Sequence, residues 1–513
     1  MLPNEVLRQL LPLFGLGIAY YVLGVVRQYF RLRQFKGPPT SGWSWWWHSR
    51  AVLSGASHRW YSEATESYGP IARVAPNLLV TSDADVWARV TSVRSQYTRA
   101  PWYYHAARFE TGKDNVFTEC DNGRHDARRK KMASAYAGKE NPGLEASIDR
   151  HVKELVQLIG RKYAAPADST KSNKPMDLAT KIQFFTLDVI SDIGTGHAFG
   201  DLQADSDVHS YIASSELGLR ISNQAYGLGT SWLSEIPILG KAISPSEKDA
   251  SGFGRMMHEV RKTVSSRITR STSEKSDMVA SFIRHGVSGD DLFQEVFEQI
   301  LAGSDTTAAA IRITLLYVMS HPRVYKKLQA EIDSVVKEGR VEDVVSDVEA
   351  RRLPYLAAVV REGMRIHPPV VNLFARVVPK DGDVVKLSTG EEVFIPGETM
   401  IGYAGWSMHR HNRAVYGDDT DVFRPERWIV DQSKEVEKER LVRMTRVNDL
   451  VFGQGRWGCL GKVVALTEMH KVIFELLRHF ELGISRPAEP WKVWESLGLW
   501  DIKEFWVDVV ERE

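Results

Sequence analysis

The sequence predicts a mostly α-helical protein with a small β region, preceded by an N-terminal transmembrane helix. Apolar side chains recur at the spacing of one helix face through most of residues 120–370 and again through 460–480. Residues 71–81 and 384–395 instead show short β-prone runs around a turn, which predicts two strand pairs. One apolar stretch near the N-terminus follows neither pattern.

That apolar stretch covers residues 10–26 and would span about 25 Å as a helix, the short end of what crosses a bilayer. A removable signal peptide would end in small residues. Arg27, Arg31, Arg33 and Lys36 follow instead. Because loops rich in Lys and Arg stay in the cytosol, we expect the N-terminus in the lumen and the rest of the chain in the cytosol.

Length and composition limit the domain organisation. The 513 residues contain no repeat and no Gly/Ser/Pro-rich linker, which favours one large domain. We expect an anchor with a basic flank over residues 1–36, a proline- and tryptophan-rich hinge over 37–59, and a single domain over 60–513. The net charge of +1 disfavours nucleic acid as a partner, and two cysteines disfavour a secreted disulfide framework.

The first elements of the domain are a hairpin and a basic helix. The first strand pair should turn at Pro76-Asn77 and the second, much later one at Gly390. The basic helix begins near His125 and ends near Tyr136. Its charges form a solvated face by default.

A polar group interrupts the helix predicted through residues 297–310. Gly303, Asp305 and Thr306 stand in an otherwise apolar sequence, although glycine costs roughly 1 kcal/mol of helix stability relative to alanine. A threonine hydroxyl can also bond the carbonyl four residues earlier and bend the helix. Unless this is a mere helix defect, the hydroxyl and carboxylate offer a place for a small polar ligand.

A later helix is predicted to begin at Pro354 and to stop before Pro368. Glu362 and Arg365 share one of its faces, and Arg427 follows in a Pro-Glu-Arg sequence further on. On a protein surface such an acid–base pair contributes only tenths of a kcal/mol and indicates little.

A glycine-rich loop, Phe452-Gly-Gln-Gly-Arg-Trp-Gly-Cys459-Leu-Gly-Lys462, runs directly into an apolar-periodic helix. The unpaired N–H groups and positive dipole end at a helix start stabilise a thiolate. A thiolate in this setting suits the proximal ligand of a haem iron. The alternative is an ordinary buried cysteine in a turn, since free cysteine is among the most buried residue types.

Taken in order, these motifs resemble those of the cytochrome P450 family, in particular its filamentous-fungal microsomal members of the pisatin demethylase and benzoate para-hydroxylase kind. The resemblance covers the chain from about residue 60 to the C-terminus, and only residues 200–290, roughly, lack a matching motif. It implies the cytochrome P450 fold around haem b, with Cys459 as the axial ligand of the iron. Arg129, His125 and Arg376 would bind the haem propionates. The other positions that match cofactor-binding residues of the family are Ala302, Phe452, Gly453, Arg456 and Gly461.

The resemblance also assigns catalytic and structural roles. Thr306 would hydrogen-bond oxygen over the iron, and Asp305 would feed protons inward. The residues that would form a buried structural triad behind the haem loop are Glu362, Arg365 and Arg427. One position departs from the family pattern, because the arginine usually found two residues before the cysteine is Trp457 here. Arg456, one step earlier, can reach a propionate or point to the surface.

The implied function is that of a haem-dependent monooxygenase. It would insert one oxygen atom from O2 into a mostly apolar small molecule, with electrons passed from NADPH through NADPH–cytochrome P450 reductase. The implied setting is the endoplasmic reticulum membrane and fungal secondary metabolism. The cations that would dock the reductase, or else form a solvated face, are Arg128, Lys130, Lys131, Arg443, Arg446 and Lys462.

Two other functions stay open on the sequence. One is a haem-thiolate isomerase or dehydratase that acts on a peroxide, and the other is a non-catalytic haem-binding protein. Enzymes of the first kind tend to lose the acid–threonine pair, which this chain keeps at Asp305-Thr306. A non-catalytic protein would leave that polar helix segment without a purpose.

Overall fold

Helices predominate in the structure, a computed structural model that describes residues 4–167, 174–269, 276–341 and 343–512. Side chains are not described at residues 4–11, 13, 14, 18 and 269. The helices are α1 (Asn4–Arg31), α2 (Trp46–Leu53), α3 (Ser57–Tyr68), α4 (Ala84–Val90), α5 (Pro101–Tyr104), α6 (Asn122–Tyr136), α7 (Leu144–Lys162), α8 (Leu178–Thr195), α9 (Asp201–Ala204), α10 (Tyr211–Gly227), α11 (Pro237–Ile243), α12 (Gly252–Thr269), α13 (Met278–Arg284), α14 (Gly289–Met319), α15 (Pro322–Lys337), α16 (Asp347–Arg352), α17 (Pro354–Ile366), α18 (Gly405–Arg410), α19 (Arg413–Tyr416), α20 (Glu435–Asp449) and α21 (Lys462–His479).

The strands are short and form small sheets. They are β1 (Ile71–Ala75), β2 (Leu78–Thr81), β3 (Thr98–Arg99), β4 (Met176–Asp177), β5 (Arg376–Val377), β6 (Asp383–Lys386), β7 (Glu392–Ile395), β8 (Met400–Tyr403), β9 (Phe480–Ile484), β10 (Lys492–Ser496), β11 (Leu499–Lys503) and β12 (Trp506–Glu511). Both predicted hairpins are present, as the antiparallel pairs β1–β2 and β6–β7. The expectation of a mostly helical protein with a small β region is confirmed.

The largest sheet carries a pair of arginines at one edge. Its strands lie in the order β1-β2-β8-β5-β3, with β2 and β8 parallel and the other neighbours antiparallel. In the register of β3 with β5, Arg99 lies directly opposite Arg376. This pairing brings together residues that are far apart in sequence.

The long helix α14 runs through the core and packs against α8, α12, α17 and α21. Two glycines allow its closest contacts. A Cβ atom at Gly303 would lie 2.6 Å from the side chain of Ile190 on α8. A Cβ atom at Gly363 on α17 would lie 2.3 Å from Thr314 Oγ1 on α14. The glycine that weakens the predicted helix in isolation is therefore required by its packing.

The end of α1 is attached to the first hairpin. Arg73 on β1 donates hydrogen bonds to the carbonyl oxygens of Tyr29, at 3.2 Å, and of Gln28, at 3.1 Å. Arg31 donates to the side-chain oxygen of Asn77 at 2.5 Å. The segment 37–59 that follows contains α2, which packs against α10. The division of the chain at residues 36 and 59 stays a prediction.

Residues 4–31 form one helix where the sequence predicts a membrane anchor. Over the described ranges, no helix is both long enough and apolar enough to pass through a bilayer. The membrane anchor expected over residues 1–36 therefore stays a prediction. Five side chains of the predicted span, at residues 10, 11, 13, 14 and 18, lie outside the described parts.

A buried cluster of ionic hydrogen bonds surrounds Glu362. Arg365 donates to both carboxylate oxygens at 2.8 Å, Arg427 donates at 2.9 Å, and the Trp428 indole donates at 2.9 Å. Glu362 and Arg365 are fully buried, and Arg427 is 1 % exposed. The structure therefore brings together the three residues of the predicted triad.

The two arginines also tie a distant loop to α17. Arg365 donates to the carbonyl oxygen of Thr420 at 2.8 Å, and Arg427 donates to that of Tyr416 at 2.7 Å. Because the guanidinium groups bond both the carboxylate and these carbonyls, the cluster fixes the path of residues 416–428. Buried charges persist only when paired and hydrogen-bonded in this way.

Glu362→Ala should leave two guanidinium groups buried without their acceptor, and Arg427→Ala should leave the carboxylate short of a donor. Each change should lower the free energy of unfolding by about 3–5 kcal/mol. Denaturant unfolding of the purified variants measures the loss. As the control, Arg323→Ala removes an ion pair to Glu426 whose arginine side chain is 69 % exposed, and it should cost under about 1 kcal/mol. Equal stability of the Glu362, Arg427 and Arg323 variants would contradict the triad.

Candidate cofactor site

The loop that carries Cys459 is held in one shape by its backbone. The Cys459 N–H donates to the carbonyl oxygen of Phe452 at 2.7 Å, which closes the loop just before α21. Gly453 and Gly455 have φ values of +65° and +61°, which favour glycine. A Cβ atom at Gly455 would also lie 2.6 Å from the carbonyl oxygen of Thr91. The glycines therefore serve the turn that presents the thiol.

The Cys459 thiol is accessible at its surface, although protein atoms surround it closely. Burial raises its pKa, while the N–H groups of Gly461 and Lys462 and the charge of Arg129 lower it. The N–H groups at the start of α21 thus act in the direction expected from the sequence, and burial opposes them. A coordinated metal ion deprotonates a thiol outright. The site therefore suits a thiolate that is formed on metal binding.

Four cationic or aromatic groups converge beside the loop. The guanidinium carbons of Arg99 and Arg376 lie 4.4 Å and 4.8 Å from the ring centre of Trp457. The His125 ring lies 4.3 Å from the same indole. Like charges directly opposite each other on paired strands are destabilising, and the Trp457 ring offsets part of this cost through cation–π contact.

Within the described ranges, the buried Arg99 and Arg376 form no salt bridge with an acidic side chain. Arg99 donates to the carbonyl oxygens of Val116 and Glu119, and Arg376 donates to the Tyr104 hydroxyl. Among the described residues, the Nε atoms of Arg99 and Arg376 and the Nε1 atom of Trp457 are buried without any hydrogen-bond partner. Unpaired buried donors and uncompensated positive charge indicate that a group with two negative charges belongs here.

Burial shifts the ionisation of this cluster. Burial, together with the charge of Arg376, lowers the pKa of Arg99 to about 10, although Tyr104 raises it. Burial and the charges of Arg99, Arg129 and Arg376 lower the pKa of His125 to about 2, so this histidine is neutral. A neutral ring nitrogen and three guanidinium groups suit two carboxylates. The two propionates of haem fit this donor set.

Arg456, whose direction the sequence left open, lies beside α6. Its guanidinium pairs with Asp126 of α6 at 3.3 Å, while its Nε atom is buried without a partner. Arg129, also on α6, donates to the carbonyl oxygen of Gly458 at 2.6 Å. Both arginines thus brace the loop against α6, and Trp457 takes the inward position beside the arginine pair.

The middle of α14 presents one accessible stripe. Within residues 292–315, every residue is buried except Glu298, Ala302, Gly303, Asp305 and Thr306. Positions separated by three or four residues share a helix face, so these form a continuous strip. Burial and the charges of Glu295, Cys459 and Glu298 raise the pKa of the Tyr136 phenol, so this ring lies within electrostatic range of both the thiol and the stripe.

Thr306 and Asp305 differ in their partners. The Thr306 hydroxyl donates to the carbonyl oxygen of Ala302 at 2.9 Å, the bond to the residue four earlier that the sequence allows. Asp305 accepts a hydrogen bond from Gln183 Nε2 at 2.6 Å. Gln183 Oε1 in turn accepts one from Arg312 at 2.7 Å. The acid is therefore held by a buried hydrogen-bonded chain.

Asp305 is suited to proton exchange. Burial raises the pKa of its carboxyl to about 6, although Arg312 and the Gln183 bond lower it. A carboxyl with a pKa near the working pH both holds and releases protons readily. The Thr306 hydroxyl beside it on the stripe provides a next carrier toward the interior.

Sequence reasoning missed three residues of this site. Arg99 was signalled only as a lone charge among aromatic residues, and its partner Arg376 lies far along the chain. Gln183 is a single polar residue on the apolar helix α8. Glu298 precedes Thr306 by eight residues, a spacing that returns to the same helix face.

Comparison with known proteins agrees with this geometry. Residues 37–503 match the family model described as Cytochrome P450. A protein named "Cytochrome P450 monooxygenase ABA1" from Pyricularia oryzae is 37 % identical over 98 % of this chain and 96 % of its own. "Cytochrome P450 monooxygenase aba1" of Botryotinia fuckeliana is 35 % identical over 94 % and 92 %. "Cytochrome P450 monooxygenase abl1" of Leptosphaeria maculans is 33 % identical over 92 % and 82 %. The chain belongs to the cytochrome P450 family, and these relatives are named as monooxygenases.

Proposed function

We propose that this protein is a haem-dependent monooxygenase that inserts one oxygen atom from O2 into a mostly apolar small molecule. Its electrons would come from NADPH through a reductase, and its place would be in fungal secondary metabolism, as the fungal relatives suggest. The observation that carries the proposal is the adjacency of Thr306 and a half-buried, hydrogen-bonded Asp305 on the accessible stripe of α14. Proton delivery at this place is what O2 cleavage requires.

The chain's own residues would bind and orient the cofactor. Cys459 Sγ is the group that would ligate the iron, and the Arg99–Arg376 pair with Trp457 would hold the propionates. Haem, when bound, supplies the redox chemistry that activates O2. Gly453 and Gly455 keep the loop close enough for this contact.

The proton path would run through α14. Asp305, held by Gln183 and with a pKa raised to about 6 by burial, would hold a proton and pass it toward the Thr306 hydroxyl. In the structure the Thr306 hydroxyl donates its single hydrogen to the Ala302 carbonyl, so it would have to turn away from this carbonyl to donate to oxygen bound in the interior. General acid catalysis of this kind contributes about 10²–10⁴-fold in rate.

The alternatives lack this support. A peroxide isomerase or dehydratase takes no protons from an acid–threonine pair, and a non-catalytic carrier has no use for one. Here the pair is present and Asp305 has a dedicated partner chain through Gln183 and Arg312. Dependence of turnover on NADPH and reductase, in place of peroxide alone, separates the three functions.

The basic surface that would dock a reductase is partly neutralised by acidic side chains of the protein itself. Arg128 pairs with Asp291 at 3.0 Å, Arg446 pairs with Asp85, and Lys462 lies 3.4 Å from Asp449. Salt bridges on the surface are weak and exchange readily with a partner's acids. The docking proposal therefore rests on the whole face and not on one cation.

An endoplasmic reticulum location with a lumenal N-terminus is also proposed, on the sequence of residues 10–36. An exposed apolar surface around α10 and α11 supports contact with a membrane surface. Its members are Leu217, Ile221, Leu228, Trp232, Ile236, Ile238, Leu239 and Ile243. Trp46, 64 % exposed on the neighbouring α2, extends this surface toward the N-terminal segment.

Thr306→Ala tests the function directly. Without the hydroxyl, protons should reach bound oxygen poorly, so NADPH consumption should continue while product per NADPH falls and hydrogen peroxide per NADPH rises. The assay uses purified protein with reductase and a ligand chosen because it shifts the haem absorption band. Added peroxide should rescue little, since the same proton delivery is needed.

The matched control is Thr314→Ala, which removes a hydroxyl bonded in the same way to the carbonyl four residues earlier, at 2.8 Å, but at a buried position. It should leave the ratio of peroxide to NADPH unchanged. Unchanged coupling in the Thr306 variant would mean that another group relays the protons. Turnover of the wild type with peroxide alone, and none with NADPH and reductase, would reject the monooxygenase proposal.

Truncation separates membrane attachment from the cofactor site. Deleting residues 1–24 should reduce membrane binding and leave haem content unchanged, because Gln28, Tyr29 and Arg31 keep their contacts with the hairpin. Deleting residues 1–36 should in addition lower thermal stability, since Arg73 loses two carbonyl acceptors. Sedimentation after a high-pH wash measures attachment. Full retention of the shorter deletion on membranes would refute the N-terminal anchor.

A further inference from the structure

Glu298 is a carboxyl on the accessible stripe of α14 that the proposed proton path does not use. It lies eight residues before Thr306, or about 12 Å along the helix axis. Ala302 lies between them on the same face. The residues on either side of Glu298, Phe297 and Gln299, are buried in the core.

One oxygen of Glu298 is held and the other is free. Asn115 Nδ2 donates to Glu298 Oε2 at 3.3 Å. Asn115 is itself fixed, because its Oδ1 accepts the N–H groups of Phe117 and Thr118, each at 2.9 Å. No other described residue forms a hydrogen bond with the Glu298 carboxyl. The carboxyl is therefore oriented by the protein and keeps one oxygen for a ligand.

The neighbouring acid on α14, Glu295, already makes the structural contacts between this part of the helix and the elements packed against it. Glu295, 1 % exposed, accepts the N–H of Val116 at 3.0 Å and pairs with Arg128 at 3.2 Å. These bonds join α14 to α6 and to the loop before it. Glu298 makes no comparable bridge and remains on the accessible stripe.

The groups that face Glu298 favour its neutral form. Burial and the charge of Glu295 raise its pKa, against the lowering effects of Arg99 and the Asn115 bond, to about 8. The phenols of Tyr136 and Tyr211 also face this carboxyl, and burial raises the pKa of each. At neutral pH the free oxygen carries a proton and acts as a hydrogen-bond donor.

We propose that Glu298 recognises the substrate by donating a hydrogen bond to one of its oxygen atoms. The substrate class is an otherwise apolar molecule that carries a carbonyl or similar acceptor oxygen about 12 Å from the carbon to be oxidised. This inference rests on the proposed function, because the distance is counted from Thr306 as the place of oxidation. In an apolar pocket one oriented polar group of this kind fixes the orientation of the ligand.

The probes are imidazoles with an alkyl tail, because the imidazole nitrogen ligates a haem iron whatever the tail. Tails of about eight to twelve carbons reach the required distance. One series ends in a methyl ketone, which only accepts hydrogen bonds, a second ends in a plain alkyl group, and a third ends in a primary amine. Titration of the holoenzyme followed by the haem absorption band gives a Kd for each.

The wild type should bind the best ketone roughly 3- to 10-fold more tightly than the matched alkyl probe at pH 7. This preference should fall as the pH rises through about 8, where the carboxyl loses its proton. Glu298→Gln keeps a donor and should keep the preference at every pH. Glu298→Leu should abolish it. Since each ratio is taken within one variant, differences in haem content do not affect it.

Several outcomes would overturn the inference. Equal Kd values for ketone and alkyl probes at every tail length would show that no donor is presented. A preference for the amine would show a carboxylate that binds cations. A ketone preference that survives in Glu298→Leu would place the donor elsewhere. If no imidazole shifts the absorption band at all, the haem-site proposal itself fails, and that result is distinct from the other three.

Discussion

Two buried arginines that lie opposite each other, with no salt-bridge partner among the described residues, are the constraint on which this site depends. Arg99 and Arg376 lie opposite each other on paired strands, and the Trp457 ring lies against both. Their Nε atoms and the Trp457 Nε1 atom have no hydrogen-bond partner among the described residues. Such an arrangement is unfavourable on its own, because buried charge and unpaired donors both cost free energy. It becomes favourable when an anionic group is bound.

The Cys459 thiol requires a positive charge nearby, whereas the two arginines require a negative one. Burial raises the pKa of Cys459, so a stable thiolate needs a cation close to the sulfur. A single flat cofactor with a central metal ion and two carboxylates at its edge satisfies both conditions. The Glu362 cluster fixes the backbone of residues 416–428, and the turns at Gly453 and Gly455 fix that of the loop that carries Cys459.

The local sequence pattern predicts the helices and strands, whereas contacts between residues distant in sequence determine the charge pairing and the pKa values of the site. The two hairpins, the polar helix α14 and the Glu362 pair follow from periodicity, turn residues and helix geometry, all of which are local. The Arg99–Arg376 register, the Gln183 bond to Asp305 and the raised pKa of Cys459 arise from residues distant in sequence.

The ferrous–CO absorption spectrum of purified wild type and Cys459→Ser tests the haem-thiolate account most directly. The wild type should bind one haem per chain and give the red-shifted CO band that thiolate ligation produces. The serine variant should lose that band while the arginine pair and Trp457 still hold some haem. An unchanged CO spectrum in Cys459→Ser, or a wild type that takes up no haem, would contradict the account.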